Sequence, residues 1–235
     1  MNEKIAVVTG GLGALGLEVS RRFLSEGARV AIPVRAGAVP VVLPELLRSH
    51  QERLFLAHAD LTSEGDVRAF ITSVNVRFGQ VDILINAAGG YAGGESVGEV
   101  SLETLDHMLS LNLKTAFLMC SVLIPSMRER RFGRIISMAA MPALLPSADR
   151  AAYAIAKRGV VTLTETIAVE VKGSGITANA IAPSIIRTES NAASMPNADA
   201  SRWVPPGDIA ALMLFLCSEE AGSISGNTIR VFGGV

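Results

Sequence analysis

The sequence predicts an α/β fold, a doubly wound seven-stranded parallel sheet with helices on both faces. Three observations carry that reading. Short apolar runs alternate with helix-length stretches along the chain, each run ends in Gly, Asp, Asn or Ala, and the apolar content is aliphatic, at 49% hydrophobic but 5% aromatic. Parallel strands covered on both faces require such a composition.

The first run is IAVV from Ile5, followed by TGGLGALG and a helix from about Ala14 to Glu26. RVAIPV from Arg29, LFLA from Leu54 and VDILI from Val81 are the second to fourth runs. RIISM from Arg134, ITANAIA from Ile176 and TIRVF from Thr228 complete the seven. Between them lie apolar helical stretches, among them about Leu102 to Met127 and Ala151 to Val171, so consecutive strands are joined by right-handed crossovers. A chain of 235 residues in this pattern is expected to be one domain, residues 1–235. Two segments break the rhythm: GGYAGGESVGEVS, from Gly89 to Ser101, reads as a mobile loop, and Pro183 to Pro206 as a lid. Both follow strand ends, at the edge where open α/β sheets bind ligands.

A net charge of −1 from 21 basic and 22 acidic residues, with no run of either sign, argues against nucleic-acid or membrane-surface partners. Cys120 and Cys217 sit in AFLMC and MLFLC, contexts of buried reduced thiols. The N-terminal apolar stretch is too short for a signal peptide, and no apolar run reaches the ~18 residues of a membrane span, so a cytoplasmic protein is expected. His50, His58 and His107 lack metal-ligand spacing, and no metal is expected.

Gly11, Gly13 and Gly16 form G-x-G-x-x-G between the first strand and its helix. Glycines there let the backbone turn tightly and approach a diphosphate, whose charge sits at the helix N-terminus. Asp60-Leu61 then ends the third strand, Asn86-Ala87-Ala88-Gly89 the fourth, and Asn112 lies in the next helix. Tyr153 and Lys157 share a helical face one turn apart, NAIAPSIIRT runs from Asn179 to Thr188, and SGNTIRVFGG closes the chain. In this order and spacing the set resembles the short-chain dehydrogenase/reductase family over essentially the whole length.

The resemblance implies a Rossmann-like fold, NADP (with NAD possible), and a small-molecule substrate that accepts hydride. It places Gly10, Gly13, Leu15 and Gly16 along the phosphates, Asp60 and Leu61 near the adenine, and Asn86, Ala87, Ala88 and Gly89 beside the ribose. Pro183, Ile186 and Thr188 match the segment that meets the nicotinamide carboxamide, with Ser184 in place of the usual glycine, and Ala14 likewise replaces a family glycine. Tyr153 is implied as the proton donor, Lys157 as the group that lowers its pKa and grips the ribose, and Asn112 as the holder of a relay water. The second strand ends in Val34-Arg35 with no carboxylate to hold a ribose hydroxyl, which favours NADP(H) through Arg35. By the same resemblance the long apolar helices pair across a subunit interface, giving a homodimer or homotetramer.

One position departs from the family. The catalytic serine belongs thirteen residues before the tyrosine, and Ala140 stands there. Ser137 should face the other side of its strand, while Ser147 and Asp149 read as solvated loop residues. Dihydropteridine reductases, in the same superfamily, also carry alanine at this position, share a GALG turn, and have a lid similar to SMPNADASRW. The sequence therefore supports reduction of a carbonyl or a conjugated, quinonoid acceptor, with a dihydropteridine-type reductase or a nucleotide-binding sensor as alternatives. Tyr91 and Trp203 each suit either a substrate pocket or loop packing, and Met108, Met119 and Met127 suit a core.

Overall fold

The strands alternate their side chains between two apolar layers. In the computed structural model, which describes residues 1–35 and 45–235, β1 (Ile5–Thr9) sends Ala6 and Val8 to one layer and Ile5 and Val7 to the other. β2 (Arg29–Val34), β3 (Leu54–His58), β4 (Ile83–Asn86), β5 (Gly133–Met138), β6 (Ile176–Pro183) and β7 (Thr228–Val231) join it in one parallel sheet, in the order 3-2-1-4-5-6-7. The predicted seven-stranded Rossmann-like sheet is the one observed. The order reverses between β1 and β4, which makes the crevice at their C-terminal ends the natural ligand site.

On the first face, α1 (Ala14–Ser25) and α8 (Pro206–Leu216) bury Val19, Phe23, Leu24, Ile209, Met213 and Leu216 against Val30, Ile32, Ile83, Ile85 and Ile136. On the second, α3 (Glu64–Phe78), α5 (Thr115–Arg130) and α6 (Ala151–Glu170) cover Val7, Ala31, Leu84, Ile135 and Ala178. The shorter helices are α2 (Glu45–Arg48), α4 (Leu102–Leu109), which packs Met108 against Ala152 and Ala156 of α6, and α7 (Glu189–Ser194). Met108, Met119 and Met127 are core, and both cysteines are free and buried.

Between α4 and α5 the helix widens to a π turn at Ser110–Lys114 without breaking. The resulting run, Leu102–Arg130, has a mean hydropathy of 1.5 in its most apolar window and by length and composition could cross a membrane. The sequence reading, which found no spanning run, counted only unbroken apolar stretches. Within the fold this helix buries Met119, Cys120, Leu123 and Met127 in the second layer, as a core helix does.

Candidate active site

The glycine turn after β1 has no room for a side chain at Gly10 or Gly16. Gly10 adopts φ +67°, and a β-carbon on it would lie 3.0 Å from the backbone of Ala88; on Gly16 it would collide with the Gly10 carbonyl. Gly13 donates its N–H to that carbonyl at 2.9 Å and caps α1, with no side-chain hydrogen bond at the cap and no acidic residue in the first turn. Other helices fill this position from their own side chains: Ser63 accepts from Asp66 N and Ser101 from Thr104 N. The α1 terminus instead fits an anionic diphosphate, because a close backbone approach and the positive end of a helix coincide.

That turn opens on a cleft of about 850 Å³. Its walls include the predicted Gly10, Gly13, Arg35, Asp60, Leu61, Ala88 and Gly89. The Asp60 carboxylate accepts from the Thr62 N–H at 2.8 Å and the Thr62 hydroxyl at 2.7 Å. Those bonds, with smaller help from Arg35 and Lys114, hold it below the usual carboxylate range. Leu15 packs toward the core instead, and Gly16 is buried behind the turn, so both shape the cleft without lining it.

Cleft and chemistry meet at the end of β4. The Thr9 hydroxyl, 2% exposed, donates to the Ile85 carbonyl at 3.3 Å and accepts from the N–H groups of Ala87 at 3.1 Å and Ala88 at 3.0 Å. Asn86 turns its amide away from the cleft, donating to the Ser137 hydroxyl at 3.2 Å and contacting the Cys120 sulfur at 3.4 Å, so it braces three elements. Gly89 sits where a β-carbon would come within 2.6 Å of Asn112 Oδ1 and 3.2 Å of Lys157 Nζ. Asn112, inside the π turn and buried, accepts from the Gly90 N–H at 3.2 Å and donates to the Met108 carbonyl at 3.1 Å. Widened turns of this kind recur at functional sites.

Lys157 is buried and donates to the Met138 carbonyl at 2.8 Å. Desolvation pulls its pKa down to about 8. Tyr153 precedes it by one turn, with Lys157 Nζ 5.9 Å from the phenol's ring centroid. Burial pushes the phenol up to about 12, with Tyr91 adding to the rise and Arg150 opposing it. In this arrangement burial governs both shifts, and the phenol is protonated at neutral pH.

Ala140 is 6% exposed and extended, capping a short turn at Met141–Ala143. Ser137 is committed to Asn86, as its strand position predicts. Ser147 and Asp149 are exposed, Asp149 at φ +59°. The two predicted loops are tied down at named points. Gly90 is bound to Asn112 and Gly94 donates to the Asp149 carbonyl at 2.8 Å, which anchors the segment expected to be mobile. Pro183 closes β6, Ile186 pairs with Val204, and Thr188 caps α7 through the Asn191 N–H, so the base of the lid is a closed stem.

Sequence reasoning missed Thr9, Thr62, His58 and His107; the last three line the cleft. Thr9 ends β1 immediately before the glycine turn and was the legible one. The others come together only across the chain.

Residues 4–199 match the short chain dehydrogenase family. The chain is 31% identical to D-threitol dehydrogenase of Mycolicibacterium smegmatis, over 100% of this chain and 93% of that protein. It is 30% identical to the 3-oxoacyl-[acyl-carrier-protein] reductase FabG of Vibrio harveyi, over 99% and 97%. Among solved structures, ElxO with NADP bound superposes with a TM-score of 0.92 at 26% identity, covering 100% of this chain and 98% of that one. A putative 3-oxoacyl-reductase from Bacillus thuringiensis gives 0.86 at 32% identity, covering 99% and 98%. A sheet of this order, a glycine turn with no space for a β-carbon at Gly10 or Gly16, and a buried Lys157 one turn after a half-buried Tyr153 agree with those matches, and the protein belongs to the short-chain dehydrogenase/reductase family, the NAD(P)-dependent oxidoreductases of this fold.

Proposed function

We propose that this protein reduces a carbonyl or conjugated acceptor with NADPH. The observation that carries the reading is the Lys157 ammonium, held between the Met138 carbonyl and the Gly89–Asn112 corner, with the protonated Tyr153 phenol one turn before it. NADPH supplies the hydride when bound. Gly10, Gly13 and the α1 terminus hold its diphosphate, Asp60 and Leu61 flank the adenine, and Gly89 and Lys157 approach the nicotinamide ribose. Ala88 borders that path, with Asn86 and Ala87 fixed behind it. Pro183, Ile186 and Thr188 lie at the lid's base, toward the carboxamide. Tyr153 gives its proton to the acceptor, and Lys157 offsets the phenolate charge that remains. Asn112 fixes the loop against which that lysine sits. The solved ElxO structure with NADP, and Arg35 on the cleft wall, support NADPH over NADH.

Ala140 favours a second reading within this one, a dihydropteridine-type reductase. Hydride delivered to an isolated ketone concentrates charge on one oxygen, and losing one oxyanion donor costs ~2.7–4 kcal/mol. A conjugated acceptor spreads that charge, so a single phenol suffices. The one sheet that carries both cleft and lid supports treating residues 1–235 as one domain. Exposed Phe117 on α5 and Ile155 and Val169 on α6 support a homodimer or homotetramer, which we place in the cytoplasm.

NADPH absorbance, followed with a quinonoid dihydropterin, a quinone and butanone, tests these readings. The conjugated acceptors should turn over faster, Tyr153→Phe should cost about 10²–10⁴-fold, and Ala140→Ser should raise butanone reduction. NADPH binding by each variant is measured first. No turnover with any acceptor, despite NADPH binding, would leave the sensor reading; fast butanone reduction indifferent to Ala140→Ser would remove the argument from the alanine.

A further inference from the structure

Two aromatic side chains lie outside the family motifs, and the fold separates their roles. Trp203 is 4% exposed and immediately precedes Val204, which closes the lid stem with Ile186. Tyr91 is 60% exposed, yet its ring lies against the candidate proton donor: the Tyr91 and Tyr153 centroids are 5.1 Å apart and the planes meet at 78°. An exposed aromatic ring leaves a large apolar face in water, a cost that a bound partner removes.

The tip of the ring lies close to the backbone that follows it. Gly93 follows two residues later, and a β-carbon there would strike the Tyr91 hydroxyl and lie 2.9 Å from the Asp149 carbonyl. Gly94 binds that same carbonyl at 2.8 Å. A side chain at position 93 would therefore push the tip of Tyr91 aside, while most of the ring remains exposed.

We propose that Tyr91 is a specificity-determining residue, whose free ring face forms the wall of the acceptor site beside Tyr153 and selects flat, conjugated acceptors by stacking. This rests on the reading of the protein as an NADPH-dependent reductase. A planar acceptor laid on Tyr91 stands nearly perpendicular to the phenol ring, because the two tyrosine planes do. A small aliphatic ketone has no π face to offer and gains little there. For a quinone the balance is NADPH, one proton and quinone giving NADP⁺ and hydroquinone; the cofactor contributes the hydride and Tyr153 the proton, which solvent restores.

Steady-state kinetics with phenanthrenequinone and butanone, on the parent, Tyr91→Leu, Tyr91→Phe and Gly93→Ala, provide the test. Tyr91→Leu should raise the quinone KM about tenfold with a smaller change in kcat, and should lower the quinone-to-butanone ratio of kcat/KM by about the same factor. Tyr91→Phe, which keeps the face, should restore the quinone KM to within about twofold. Gly93→Ala, which displaces the ring, should resemble Tyr91→Leu. Equal losses on both acceptors, an unmoved quinone KM, or a phenylalanine variant as poor as leucine would each overturn the proposal. If the parent oxidises no NADPH with either acceptor, the reductase reading fails by itself. Equilibrium dialysis of the quinone, with and without NADP⁺, then still decides the wall: weaker binding by Tyr91→Leu supports it and equal binding sinks it.

Discussion

Lys157 donates its ammonium to the carbonyl of Met138 at 2.8 Å, which ties the helix carrying Tyr153 to the last residue of β5. The bond positions the charge but does not repay its burial, and the lysine pKa falls from 10.5 to about 8.

That shift has a sign in stability. Between about pH 8 and 10.5 the folded chain binds fewer protons at this site than the unfolded chain, so this group's penalty is full below the window and relieved as pH rises through it. In Lys157→Met the group is absent, and the stability of the variant minus that of the parent should fall by roughly 3 kcal/mol from about pH 7 to about pH 11. Urea unfolding at a series of pH values measures it. Cys120 and Cys217, raised by burial, act oppositely in both proteins and cancel in the difference. A gap that does not change with pH refutes the buried ammonium.

Arg35 lies on the cleft wall with Asp60, where a 2′-phosphate would add charge. Arg35→Ala should weaken NADPH about tenfold to a hundredfold and NADH by less than about threefold. Fluorescence titration of both nucleotides checks this; equal losses would remove Arg35 as the discriminator.

Gly16→Ala should destabilise the fold by about 1–3 kcal/mol and weaken nucleotide binding, because the new methyl meets the Gly10 carbonyl. Gly98→Ala, with nothing within 4 Å, should stay within about 0.5 kcal/mol of the parent. Thermal melts of the pair are sufficient, and similar values for both would show the turn can relax.

The lid should be mobile only beyond its stem. Arg187 N–H donates to the Val204 carbonyl at 2.8 Å, and Val204 N–H to the Ile185 carbonyl at 2.9 Å. Limited proteolysis should cut within residues 188–202 and spare the stem, and NADPH should slow the cuts. Cuts at Ile185–Arg187, or no protection by NADPH, would contradict this division.

The sheet was legible because its signal is local: IAVV, RVAIPV and the later runs each carry their own periodicity and stop residues. The Tyr153–Lys157 pair and the glycine turn were legible for the same reason, since short spacings fix which atoms share a face. What could not be read depends on partners far along the chain. The Lys157–Met138 bond spans 19 residues and the Thr9–Ala88 bond 79, and no spacing rule announces either. The opposite fates of Tyr91 and Trp203 were equally hidden, because both sit in loops whose composition is similar. The depth of burial that raises the Tyr153 pKa is hidden in the same way, since sequence shows the charge of a neighbour and not how deeply a group is packed.

The π turn at Ser110–Lys114 also limits how this chain can change length. A π turn holds one residue more than an α turn, so deleting any one of the five lets the segment close into regular α-helix with α4 and α5 nearly in phase. Met108 on one side and Met119, Cys120 and Leu123 on the other would keep their seats, but the bulge that presents Asn112 to Gly90 would be gone. A single-codon deletion between residues 110 and 114 is therefore a change the scaffold can absorb and the site cannot.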